Sequence, residues 1–201
     1  MKAILILTFS LLSLSHIIAQ SPQNIVNKGL QLEQSGKSNQ AFIKYNKAIK
    51  LNTADFVAVM AYLYRGNLFK KEQQLDRARQ DYDAAAKIAE KNNIKKYTLL
   101  ISLYSNRGLI RHEAKNSKGA LEDFDKVILY AEKDKSATAE QYALRALFNF
   151  EQKKKQAACD DFSRALKIDA SIIEDPKFAK AYKRTKTKCS KEKAPEEKVA
   201  E

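Results

Sequence analysis

Four sets of small and aromatic residues recur along the chain in a single register. Gly29, Ala41, Tyr45 and Ala48 form the first set. Gly66, Ala78, Tyr82 and Ala85 form the second, Gly108, Ala120, Phe124 and Val127 the third, and Ala146, Ala158, Phe162 and Ala165 the fourth. The internal spacing is 12, 4 and 3 residues in every set, whereas the sets lie 37, 42 and 38 residues apart. A self-similar chain of this kind repeats one supersecondary unit. Constant spacing inside and variable spacing between predicts a two-helix unit with elastic connectors.

The residue types fit that reading. Spacings of 4 and 3 put the last three members on one helix face, with two small residues flanking an aromatic. The facing helix then approaches closely at its own Gly or Ala, and the aromatic fills the space around the contact. Gly36 and Gly119 are placed in the turns between paired helices. No proline occurs from Gln23 to Asp175, which suits an unbroken series of helices. Nine helices are predicted, over about 22–35, 38–51, 54–72, 75–91, 95–115, 117–133, 137–153, 155–169 and 176–190. Ser21 before Pro22 reads as a cap with a first-turn proline, and Ser38, Thr53 and Ser117 as later caps.

The pattern of a small residue followed by Ala, aromatic and Ala at these spacings resembles the tetratricopeptide repeat (TPR) family, over nearly the whole chain after residue 20. The resemblance implies an all-α fold, an α-solenoid of four antiparallel helix-pair repeats plus a C-terminal capping helix. The units fall at about 22–52, 54–92, 95–133 and 137–169 and the cap at 176–190, within a repeat domain over 20–190. Residues 191–201 read as a disordered tail. The chain departs from the family in three ways. Its periods exceed the usual 34 or so residues. Ile25, Tyr62, Tyr104 and Tyr142 stand where a Trp usually leads, and the closing Pro is missing.

Stacked pairs make a concave surface from the first helix of each pair. The register puts Asn27, Tyr64, Asn67, Lys70, Lys71, Asn106, His112, Leu147 and Phe150 there. Asn side chains could bond a peptide backbone, Tyr64 and Phe150 could anchor apolar groups, and the lysine pair could meet an acid. A plain solvated groove, or one filled by the chain's own tail, is the alternative. Val26 and Leu30 stand where the family's carboxylate-clamp subclass needs polar residues.

A second feature shares the register. Arg65, Arg107 and Arg145 each precede the small contact residue, and Asp81, Asp123 and Asp161 each precede the aromatic, 16 residues later in all three units. A private Asp for each Arg reads as a structural ion pair between the helices of one unit. The competing reading is a basic ladder for an anionic ligand.

Other features set the compartment and the function class. Lys2, an apolar run from Ile4 to Leu14 and Ala19 before Gln20 read as a signal peptide over 1–19, hence export to the periplasm or outside the cell. An uncleaved anchor is the alternative. Phe178, Tyr182, Thr185 and Cys189 form one helical stripe, suited to a cap over the last apolar face. Antiparallel packing would bring Cys189 to Cys159, as a disulfide or as two separate buried thiols.

The net charge is +13, and residues 177–193 hold eight Lys or Arg and one acid. That basic segment gives an alternative function, an envelope-associated binder of anionic lipid, glycan or nucleic acid, with membrane-surface contact. The excess of Lys over Arg and the absence of a nucleic-acid module argue against nucleic acid. One histidine outside the signal, no phosphate loop and no nucleophile elbow point to no enzyme, no metal and no cofactor. The expected function is therefore a non-catalytic scaffold for a protein or peptide partner. The sequence leaves its oligomeric state open.

Overall fold

A computed structural model describes residues 21–51 and 55–189, with side chains through 186. Among the described residues there are nine α-helices and no strand. They are α1 Pro22–Gln34, α2 Ser38–Lys50, α3 Phe56–Lys71, α4 Leu75–Lys91, α5 Tyr97–Glu113, α6 Ser117–Asp134, α7 Ala139–Glu151, α8 Lys155–Ile168 and α9 Pro176–Cys189. A short 3-10 helix, Ala170–Glu174, which the periodicity did not predict, joins α8 to α9. The expected signal segment 1–19, the cap Thr53 and the tail 191–201 lie outside the described residues.

The helices group into two compact units, one ending at Lys96 and the other beginning at Tyr97. In the first, α1 pairs with α2 and α3 with α4. In the second, α5 pairs with α6 and α7 with α8, and α9 packs on α8 and α7.

Each pair closes on the recurring small–aromatic contact. Tyr45, Tyr82, Phe124 and Phe162 are almost fully buried. A Cβ added at Gly29 would sit 2.5 Å from the Tyr45 ring, at Gly66 2.6 Å from Tyr82, and at Gly108 2.9 Å from Phe124. Glycine is what lets these helices approach so closely. Interaxial distance depends on the side chains at the contact, and small residues there permit the shortest separations.

The periods vary for a reason other than elastic connectors. In all four pairs the first helix ends five residues after its small contact residue, and the second begins three before its Ala. The turn inside each pair is thus invariant. It carries one left-handed residue, Gly36, Gln73, Lys115 or Lys153. The following amide returns to the carbonyl five residues back, for example Gln74 N–H to Phe69 O at 2.8 Å and Lys154 N–H to Asn149 O at 2.9 Å. That closes the orphan carbonyls in a Schellman motif. The connectors between pairs are nearly constant as well. The extra residues of the second and third repeats lengthen the helix ends far from the turn, so that α3 to α6 run 16–18 residues against 13–14 for α1, α2, α7 and α8.

The helix starts follow local chemistry, with some corrections. Ser21 Oγ accepts the Asn24 N–H at 3.2 Å. Ser38 and Ser117 are first helical residues rather than caps. Lys37 holds the first of those cap positions with no side-chain bond, and Asn116 holds the second, accepting the Gly119 N–H at 2.9 Å. Gly119 accordingly lies inside α6, not in the turn. Asp55 caps α3 through the Val57 and Ala58 amides. Thr138 and Gln141 form a reciprocal capping box on α7, which satisfies two orphan donors at once.

The last apolar face is covered by α9. Phe178, Ala181 and Thr185 are buried, and the Tyr182 ring meets Phe162 edge-on at 5.5 Å. Cys159 on α8 is disulfide-bonded, while the side chain of Cys189 lies outside the described residues. Peptide mapping of the non-reduced protein is expected to recover Cys159 linked to Cys189. Recovery of Cys159 alkylated, or linked to a second copy of itself, would remove the proposed staple of the cap.

Candidate protein-interaction surface

The first helices of the pairs carry the residues expected to face a partner, and the structure gives them different roles. In the first unit Asn27 is exposed on α1 and accepts a hydrogen bond from Gln23 Nε2 at 2.9 Å. Tyr64 on α3 is half-buried, its ring 5.9 Å from that of Tyr45. It therefore contributes to the packing between the first two repeats as well as to the surface. Asn67 Oδ1 accepts the Tyr82 hydroxyl at 2.8 Å, so this acceptor serves the core rather than a ligand. Tyr45 makes the matching bond to Glu33, at 2.8 Å. Burial, then the Glu33 hydrogen bond, holds the Tyr45 phenol well above its ordinary pKa. Burial, then the nearby Asp81, does the same for Tyr82. Both rings stay neutral and apolar across the physiological range. Lys70 is half-buried and Lys71 exposed at the end of α3.

In the second unit, Asn106, Leu147 and Phe150 are half-buried. His112 Nε2 lies 3.0 Å from both carboxylate oxygens of Glu151, and its ring sits 4.7 Å from that of buried Phe148. Glu151 also accepts the Ser117 hydroxyl at 2.9 Å. One carboxylate at the end of α7 thus gathers the end of α5 and the start of α6. Sequence reading missed Glu151. Its position one residue past Phe150 carries no periodic signal.

The Arg and Asp residues meet in all three repeats that have them. Arg65 Nε and Nη2 donate to the two Asp81 oxygens at 2.8 and 2.6 Å. Arg145 does the same to Asp161 at 2.8 and 2.6 Å. Arg107 Nε lies 3.0 Å from Asp123 Oδ2 and its Nη2 2.5 Å from Oδ1. These are bidentate forks, the geometry in which Arg differs most from Lys.

Each repeat adds a further partner that the sequence did not reveal. Arg65 Nη1 reaches Asn46, and Arg145 Nη1 reaches Asp125 at 3.3 Å. Asn46 and Asp125 both follow the aromatic of the preceding repeat, so within each unit the guanidinium also ties two repeats together. Asp123 takes Arg111 at 3.1 Å as a third contact, and Asp161 takes the Asn149 amide at 3.0 Å. Burial pushes the Asp123 carboxyl up, and Arg107, Arg111 and Lys126 pull it back only in part. The guanidiniums are committed to carboxylates, which is the chemistry of a framework rather than of a ladder open to anions.

Among the described residues no group of three or more His, Cys, Asp or Glu side chains is placed to hold a metal ion. None of the described helices is long and apolar enough to cross a membrane.

No protein-family model matches the chain, and no curated protein matches it. Solved structures do. The TPR protein YrrB, described as having an unusual peptide-binding site, matches with a TM-score of 0.66 at 16% identity, over 86% of this chain and 83% of its own. BtubC (BKLC) from P. vanneervenii matches at 0.62 and 14% identity, over 89% and 84%. A tetratricopeptide repeat protein from Parabacteroides merdae matches at 0.59 and 14% identity, over 86% and 68%. At such identities the likeness carries the fold and nothing finer. Together with the four helix pairs and their small–aromatic contacts, it shows a TPR-like fold, an all-α solenoid of helix-pair repeats.

Proposed function

We propose that this chain is an exported, non-catalytic scaffold that holds a peptide or protein partner on the faces presented by α1 and α3 in one unit and by α5 and α7 in the other. The observation that carries the reading is the helix-pair architecture itself, with its similarity to a TPR protein described as having a peptide-binding site. Exposed Asn27 and Lys71 and half-buried Tyr64, Leu147 and Phe150 supply the mix of polar contacts and apolar anchors that such recognition uses. Export rests on the signal-like segment 1–19 alone.

The test is affinity capture from the native envelope extract at low and high salt, with wild type beside Asn27→Ala/Lys71→Glu. These two positions are chosen because Tyr64 and Asn67 also hold the fold. A partner retained at high salt and lost roughly tenfold in the variant, the ~1.4 kcal/mol of one good contact, is the expected result. Equal capture by the variant, or no partner at either salt, counts against the reading.

A further inference from the structure

The outer face of α9 carries charge of one sign only. From Pro176 to Lys186 the helix carries Lys177, Lys180, Lys183, Arg184 and Lys186 and no acid. All five are exposed, whereas Phe178, Ala181 and Thr185 are turned inward and buried. The apolar stripe is therefore consumed by the cap's own packing on α8 and α7, and the basic stripe is what remains for solvent. Lys177 Nζ lies 3.9 Å from exposed Glu140 and 5.1 Å over the Phe178 ring, and Lys186 Nζ lies 5.9 Å over the Tyr182 ring.

We infer that this face adsorbs the protein to an anionic phospholipid surface. Three observations favour a bilayer over other polyanions. First, four of the five cations are lysines, compact point charges without the planar fork that reads individual phosphates. They suit a lattice of mobile headgroups. Second, the two rings beside these cations belong to the packing of the cap, Phe178 being buried and Tyr182 packed on Phe162, so the outward stacking platform that single-stranded nucleic acid uses is missing from this face. Third, the basic residues share the half of α9 that faces away from buried Phe178, Ala181 and Thr185, with no acid among them, which gives a broad one-sign face rather than a pocket. Insertion is not part of the inference, because the apolar face is already buried. Attraction of this kind is roughly additive per basic residue and falls off within a Debye length. It leaves the first helices of the repeats available, so it is independent of the peptide-binding reading.

The experiment is co-sedimentation of the full chain with vesicles of phosphatidylglycerol and phosphatidylcholine, and with phosphatidylcholine alone. Wild type is compared with Lys180→Glu/Lys183→Glu and with Lys47→Glu/Lys50→Glu, an equal charge change on α2. Binding is expected only to the anionic vesicles and is expected to disappear at high salt. The α9 variant should lower it by roughly 600-fold, at about fivefold per charge unit over four units, and the α2 variant by far less. If the α9 variant loses its helical circular dichroism, Lys180→Gln/Lys183→Gln replaces it, with an expected loss of roughly 25-fold. Equal losses in the α2 and α9 variants would show that net charge alone acts. Equal binding to neutral vesicles, or a DNA fragment holding the protein to higher salt than the vesicles do, would also overturn the inference.

Discussion

Replacing Asp123 with leucine is expected to destabilise the protein by about 3–5 kcal/mol. Removing Arg107 as well, in Arg107→Leu/Asp123→Leu, is expected to recover most of that loss. Asp123 is 1% exposed and Arg107 7%, so the single change strands a guanidinium where water cannot solvate it. The double change removes both desolvated charges and leaves apolar groups in their place. Arg111, the third member, keeps solvent on one side and a 3.3 Å bond to the Gly119 carbonyl, so it does not inherit the full penalty. Urea denaturation of the four proteins in this cycle measures the coupling. Additive losses would mean that the fork contributes no geometry-dependent energy. The upward push on the Asp123 carboxyl points the same way: burial costs the ionised form much of what the arginines return. Such a pair fixes the rotation of one helix on another more than it stabilises the fold.

Replacing Phe124 with alanine is expected to cost about 3–5 kcal/mol, and Gly108→Ala should then change sign with background. The Phe124 ring is fully buried and meets Phe148 edge-on at 5.1 Å, so truncation empties the centre of a repeat and unseats its neighbour. In wild type a methyl at Gly108 would lie 2.9 Å from two ring carbons and 3.2 Å from the Asp123 Cβ. The ring has no room to retreat, so Gly108→Ala destabilises there. With the ring gone, the same methyl fills part of the cavity and gains up to ~1 kcal/mol of helix propensity. Thermal denaturation of the single and double variants decides it. A loss from Gly108→Ala of equal size in both backgrounds would show that the small residue is not there to admit the aromatic.

The fourth repeat makes the same point naturally. It has Ala146 where the others have Gly, and it closes on Phe162, which is as buried as its counterparts. A methyl is therefore tolerable where the local crossing allows it, and the sequence pattern of a small residue captures both solutions.

What the sequence determined by itself is what depends on spacing within one helix. The 4 and 3 intervals fix which side chains share a face. The constant 12 between contact residues fixes the turn, and the interval of 16 fixes which Asp each Arg meets. These follow from helical geometry that every neighbour must obey, so the helices, their pairing and their small–aromatic contacts could be read before any coordinates. Tertiary structure decided what depends on how one helix is rotated against another. It placed Gln73, Lys115 and Lys153 in the left-handed conformation that glycine marks only at Gly36, because a closed Schellman turn outweighs the residue's own preference. It put the extra residues of the long repeats at the far helix ends, where no invariant turn constrains length. It assigned Asn67 to a buried tyrosine hydroxyl and His112 to Glu151, and it added Asn46 and Asp125 to the arginine forks. Those partners come from elements with no fixed sequence interval to one another, and only the packed helices bring their polar atoms within hydrogen-bonding distance.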